Sequence, residues 1–234
     1  MVLYGTLVNG ICIIVGSLLG LFFTKIPDRY KETVMQGIGL AVILIGLQMA
    51  FSTDNIIVVL LSLLTGAIIG EFIHVEEGLN RLGAWIGSKF TTKDENFSVA
   101  QGFITASLIF VIGAMSVIGA LDSGIRGDHE ILITKGIIDG FVALVLTTTL
   151  GFGVIFSVVP VVLYEGIIAL LATQITNWMP ESFLNGFIVE LTAVGGLLIV
   201  AIGLNLLKIT QIRIGNLLPS LATVMLVYYI YQLF

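Results

Sequence analysis

The sequence predicts an all-α integral membrane fold of about eight transmembrane helices, in a 3+2+3 arrangement with an inverted-topology repeat. Three observations carry this: charge is scarce, apolar runs of membrane-crossing length recur, and basic residues gather in alternate connections. Hydrophobic residues make up 57% of the 234 and charged residues 11%, with a mean hydropathy of +1.11. A water-soluble domain carries about 25% charged residues because its surface faces water. This chain lacks the charge to cover such a surface, so the lipid bilayer is its expected solvent and first partner.

A helix crosses the hydrocarbon core with about 20 apolar residues. Segments 3–23, 34–51, 56–72, 99–121, 131–150, 154–175, 183–207 and 214–234 meet or approach that length. Only Gly151-Phe152-Gly153 parts the fifth from the sixth, and Pro160 follows. The pair reads either as a tight hairpin or as one broken element, which would reduce the count to seven spans.

Charge then orients the layout. Lys25, Arg29 and Lys31 follow the first span, Arg81, Lys89 and Lys93 the third, and Lys208 and Arg213 the seventh. With eight spans all of these fall on one side, which the positive-inside rule makes cytoplasmic. Arg126 and Lys135 are exceptions near the net-acidic stretch Asp122-Ser-Gly-Ile-Arg-Gly-Asp-His-Glu130. Both termini are then expected outside. No basic n-region precedes the first apolar run, so that run reads as a retained span. Between spans three and four, Val75, Leu79, Leu82, Ile86 and Phe90 recur at helical spacing. This predicts an amphipathic inner-surface helix over 75–90 with Trp85 at headgroup depth, a structural foot rather than a lipid sensor.

The chain reads as a single polytopic domain with an internal repeat. Gly39-Leu40 followed by Ile45-Gly46-Leu47-Gln48 matches Gly196-Leu197 followed by Ile202-Gly203-Leu204-Asn205. Ser62-Leu63-Leu64-Thr65 resembles Ser220-Leu221-Ala222-Thr223, and Asn9-Gly10-Ile11 resembles Glu165-Gly166-Ile167. The copies span 1–74 and 154–234, around a central hairpin over 99–150. Five spans precede the second copy, so its topology is inverted, as in many secondary transporters.

Ionised groups at membrane depth are costly, about 2.5–3.5 kcal/mol each on insertion scales. Asp139, Glu165 and Glu190 nevertheless fall inside predicted spans. Carboxylates give hard oxygen ligands, so the functional reading is a shared cation or proton site; the bland alternative is that each acid is neutral or paired. Lys135, four residues before Asp139, lies on the same helical face and can neutralise it. Asn9, Gln36, Gln48, Gln101 and Asn205 can line the same pathway or serve as interhelical glue. Gly195-Gly196 is expected to loosen the seventh span beside Glu190. Gly66 and Gly70, like Gly136 and Gly140, are spaced to form helix contacts, and such small-residue faces are compatible with a homo-oligomer. Glu71, with His74, Glu76 and Glu77, reads as a hydrated acidic helix end in preference to a metal site.

Other classes are disfavoured. A net charge of −5 leaves no basic patch for nucleic acid. Cys12 is the single cysteine, so no intramolecular disulfide can form. The glycine loops and His-Glu, Cys-pair or Gly-x-Ser-x-Gly motifs of enzymes are missing, and His74 and His129 lie in separate connections. Neither enzymatic activity nor a cofactor is expected.

Four stretches carry a family resemblance: Gly5-Thr-Leu-Val-Asn-Gly10, Gln36-Gly-Ile-Gly-Leu40, Lys135-Gly-Ile-Ile-Asp-Gly140, and Ile202-Gly-Leu-Asn-Leu-Leu207 with Gly215-Asn-Leu-Leu-Pro219. In these the chain resembles, over essentially its whole length, the bacterial membrane proteins of domain of unknown function 554, the YdfK-like and YqgA-like proteins. The resemblance implies a bacterial cytoplasmic membrane location and makes Asn9, Lys135 and Asp139 part of a family-like pattern. Descriptions of the family speak of transporters and of sodium channels; no substrate and no functional residue comes with them. The expected function is membrane transport of a small ion or solute, H⁺- or Na⁺-coupled through the intramembrane carboxylates. The alternative is a non-transporting membrane scaffold or sensor. A transporter gathers its polar residues at one place, whereas a scaffold disperses them and satisfies each one locally.

Overall fold

The computed structural model describes residues 1–22, 28–81 and 99–233, and every regular element among them is helical. In chain order these are α1 (Tyr4–Phe22), α2 (Asp28–Ala50), α3 (Ile56–Ile73), α4 (Val99–Val111), α5 (Ala114–Ile125) and α6 (Glu130–Leu150). A 3₁₀ stretch (Gly151–Ser157) leads into α7 (Val158–Leu170), α8 (Ala172–Trp178), α9 (Glu181–Leu206), α10 (Ile214–Leu217) and α11 (Ser220–Tyr231). The expected inner-surface helix is helical over 75–81, and the rest of it, with Trp85, lies outside the described residues. Lys25, Lys89 and Lys93 lie outside them too.

Five helical runs are long and apolar enough to cross a membrane, or six if α4 and α5 form one span bent by 59°. The bend sits at Gly113, whose φ of +150° suits glycine and few other residues. One of the five runs is the 41-residue Glu130–Leu170. A straight α-helix of that length would extend about 60 Å, twice the hydrocarbon core. Lys135 and Glu165 would stand about 45 Å apart on such a rod, yet Lys135 Nζ lies 3.4 Å from Glu165 Oε1. The chain therefore folds back through the 3₁₀ stretch, entered at Gly151 with φ +72°. Of the two readings of this boundary, the structure has the hairpin.

Two compact units are woven from interleaved segments, Met1–Lys31 with Gly83–Glu181 and Glu32–Leu82 with Ser182–Phe234. In the first, α1 packs most extensively on α6. Gly5 meets Leu132, Gly136 meets Asn9 and Gly16 meets Gly140, so the two helices run parallel. Gly10 meets Val158 and Val162 while Gly166 meets Leu3, so α7 runs antiparallel to α1. The α4–α5 pair begins at Gly153 and ends at Ala169, alongside α7.

In the second unit α2 and α9 are antiparallel: Gly39 meets Gly203 and Leu207, and Gly46 meets Gly196 and Val200. Helices α3 and α11 are antiparallel as well, with Gly66 on Ser220, Gly70 on Asn216, and Thr223 Oγ1 donating to the Ser62 carbonyl at 2.9 Å. Helix α9 is continuous across Gly195-Gly196, against the loosening expected there. The missing side chain is used for close approach to Gly46 and Ala50.

Polarity explains which faces turn inward. The buried face of α1 is Gly5, Thr6, Asn9, Gly10, Ile13, Gly16, Ser17 and Gly20, whereas Leu7, Ile11, Val15, Leu18 and Phe22 are exposed. Lipid tails solvate leucine as well as another helix does, so small and polar residues make the interhelical contacts. A Cβ added at Gly16 would stand 1.9 Å from the Gly140 carbonyl oxygen, whereas one at Gly37 meets nothing within 4 Å. Gly16→Ala should therefore destabilise the protein by about 1–3 kcal/mol. Gly37→Ala should be neutral or mildly stabilising, both read as unfolding midpoints in detergent.

Candidate functional site

Four polar side chains converge within the first unit. Asn9 is fully buried on α1, Lys135 and Asp139 are buried one turn apart on α6, and Glu165 is fully buried on α7. Gly136 and Gly140 place α6 against the Asn9–Cys12 stretch of α1, and the hairpin returns α7 to the same α1 turn. Lys135 Nζ pairs with Asp139 Oδ2 and stands 3.4 Å from Glu165 Oε1. Asn9 Nδ2 donates to that same Oε1 at 2.9 Å. This fixes the amide orientation, because its oxygen turned the other way would face a carboxylate.

The set is unbalanced in two ways. Two carboxylates share one ammonium, so the cluster carries one surplus negative charge when all are ionised. Glu165 Oε2 and Asn9 Oδ1 are buried without a hydrogen-bond partner among the described residues. Thr6 and Ser17 on the same α1 face, and Thr147 on α6 beside Gly20, also bury unpartnered hydroxyl oxygens. Buried oxygens are seldom left bare unless water or an ion serves them. Thr6, Asn9 and Ser17 share the buried face of α1, and Ser107 on α4 and Ser220 on α11 bury further unpartnered hydroxyl oxygens. Sequence reasoning passed over Thr6, Ser17 and Thr147; the signal available for Thr6 and Ser17 was their place on the glycine face of α1.

Glu190 is placed differently. Buried on α9 in the second unit, its Oε2 accepts from Thr53 Oγ1 at 2.6 Å, and its Oε1 from the backbone amides of Asp54 (3.1 Å) and Asn55 (2.9 Å). Asn55 is itself the N-cap of α3. An anion at the N-terminus of a helix answers both its free amides and its dipole. Glu190 thus fastens the turn into α3, and both its oxygens are used.

Asn205 holds its own connection, donating to the Ile212 carbonyl at 2.8 Å and accepting from Thr210 Oγ1 and the Ile212 amide. Gln36, Gln48 and Gln101 are exposed and do not join the cluster. At the end of α3, Glu71 accepts from Arg213 (2.7 Å) and Asn216 (2.6 Å), and Glu76 Oε2 accepts from the Gly215 amide. No grouping of three metal-ligating residues occurs among the described residues.

A family model described as "Protein of unknown function (DUF554)" matches residues 4–229. The uncharacterized membrane protein YdfK of Bacillus subtilis (strain 168) is 33% identical over 224 residues, 94% of this chain and 93% of that protein. The uncharacterized protein YqgA of Escherichia coli (strain K12) is 29% identical over 225 residues, 94% of each. No solved structure matches.

The Glu190 geometry predicts a stabilising role. Glu190→Gln keeps one acceptor and loses the charge, which should lower stability by about 1–3 kcal/mol. Chemical or thermal unfolding in detergent measures it.

Proposed function

The chain belongs to the family of proteins of unknown function DUF554, and we propose that it is a membrane transport protein for a small ion or solute, coupled to H⁺ or Na⁺ at the Asn9, Lys135, Asp139 and Glu165 cluster. The observation that carries this is the buried, charge-unbalanced set with two unpartnered oxygens on Asn9 and Glu165. Ionisable residues in an apolar membrane interior are expensive and mark ion or proton pathways. Thr6 and Ser17, bare on the same face of α1, would extend a polar route on either side of the set.

The reading includes eight crossings and an inverted repeat. Directions support the count: α1 and α6 are parallel, α7 opposes both, α2 opposes α9, and α3 opposes α11. Packing supports the repeat, because each helix of the first copy lies antiparallel on its own counterpart. Asn9 bonds Glu165, Gly39 and Gly46 meet Gly203 and Gly196, and Gly66 meets Ser220. An antiparallel pair of equivalent helices has a local two-fold axis perpendicular to both, the orientation an inverted repeat requires.

The non-transporting scaffold has one observation in its favour: Glu190, Asn205, Glu71 and Glu76 are each satisfied locally. They leave the cluster of the first unit unexplained.

Flux into proteoliposomes under Na⁺, K⁺ and H⁺ gradients tests the function. Glu165→Gln preserves shape and removes charge, so the folded variant should lose roughly tenfold or more of coupled flux, the consequence of forfeiting about 1.4 kcal/mol or more of ion binding. Undiminished flux would move transport away from this site.

Topology has its own test. In a Cys12→Ser background, a cysteine replacing exposed Asp128 should react with impermeant reagent from outside, and one replacing exposed Gln211 only from inside. Reaction of both from one side would overturn the eight-crossing layout.

A further inference from the structure

We propose that Lys135 sets the valence of the species bound at this cluster: the site takes up one monovalent cation, held on Glu165 Oε2 and Asn9 Oδ1, and rejects divalent ions. This deepens the transport reading and rests on its ion site, though not on flux.

Charge balance carries the argument. Helices α1 and α4, the 3₁₀ stretch and α8 contain no charged residue. The only charged residue of α7 is Glu165. On α5, Asp122 is paired with Arg126 at 2.6 Å, and on α6 Glu130 is exposed at the helix start. Among the described residues, the charged groups facing Glu165 are thus Lys135 and Asp139, with neutral Asn9 from α1 and the Tyr164 phenol beside it on α7. Two carboxylates and one ammonium sum to −1. One monovalent cation brings the buried set to neutrality, whereas a divalent ion would leave it at +1 with no counter-charge among the described residues of the packed elements. An uncompensated charge is what an apolar interior excludes.

The unpartnered oxygens agree with that sum. Glu165 Oε1 already receives the Asn9 amide and the Lys135 ammonium. Glu165 Oε2 and Asn9 Oδ1 are the hard oxygens left over, both on fully buried residues. Thr6 Oγ1 is a third bare oxygen one turn along α1. A proton on Oε2 and a bound Na⁺ or K⁺ satisfy the same charge requirement.

A charge series in the full-length purified protein tests this. Unfolding midpoints are measured in detergent against NaCl, KCl and CaCl₂, with choline chloride holding ionic strength constant, and against pH. In the wild type (−1), Na⁺ or K⁺ should raise the midpoint saturably and Ca²⁺ should not. Asp139→Asn (0) leaves both proposed oxygens in place, yet should weaken binding at least about tenfold. The double variant Lys135→Met/Asp139→Asn (−1) should regain it, and Glu165→Gln (0) should lose it. Should the occupant be a proton, no metal ion shifts any midpoint. Lowering the pH then stabilises the wild type and the double variant more than the two neutral-sum variants. Preferential stabilisation of the wild type by Ca²⁺ overturns the proposal, as does a response that ignores the charge sum. Should Asp139→Asn fail to fold, the double variant and Glu165→Gln still decide it. A correct charge series without flux would leave valence standing and remove transport; flux with an indifferent charge series would do the reverse.

Discussion

Hydrocarbon offers no reward for burying leucine, and this constraint governs the rest of the structure. Helices that cannot associate by hiding apolar surface must associate through close backbone approach and through polar contacts worth more inside than in lipid. The buried face of α1 therefore holds glycines, a threonine, a serine and an asparagine, while its leucines face outward. The same inversion recurs on α3, where Ser62, Gly66 and Gly70 are buried and Leu60, Leu64 and Ile68 are exposed.

Close approach has a chemical consequence. Once Gly136 and Gly140 draw α6 onto α1, the positions beside them are buried. A lysine, an aspartate and a glutamate there must answer one another. Lys135 does so incompletely, pairing with Asp139 and reaching only one oxygen of Glu165. The second unit handles its buried acid in the opposite manner, saturating Glu190 with a hydroxyl and two backbone amides. One arrangement leaves a buried carboxylate oxygen without a partner; the other leaves both oxygens occupied.

The membrane class, the helical content and the glycine faces were legible because they are local: composition, run length and four-residue spacing express them directly. Lys135 and Asp139 were readable as a pair for the same reason. The hairpin at Gly151 stayed ambiguous because a break and a reversal share one glycine signature. Convergence of Asn9 on Glu165 across 156 residues had only a weak repeat to announce it. The role of Glu190 was hidden entirely. Its partners are Thr53 and two backbone amides, and a backbone amide has no letter in a sequence. Interleaving of two units was equally invisible, since no composition shift or linker marks where the chain passes between them.

Under the proposed inverted repeat, Asn9 and Glu165 are counterparts, and their contact lies where the local two-fold axis would pass. Perfect symmetry would put two glutamates or two asparagines there. Two glutamates would face each other as buried like charges with one lysine near, raising the surplus to −2. Two asparagines would satisfy each other and leave Lys135 balanced by Asp139 alone, with no charge in want of a partner. The asymmetric pair provides one amide to hold the carboxylate and leaves one oxygen on each residue without a partner. Under that repeat, a site for a single positive charge depends on the copies having diverged at this position.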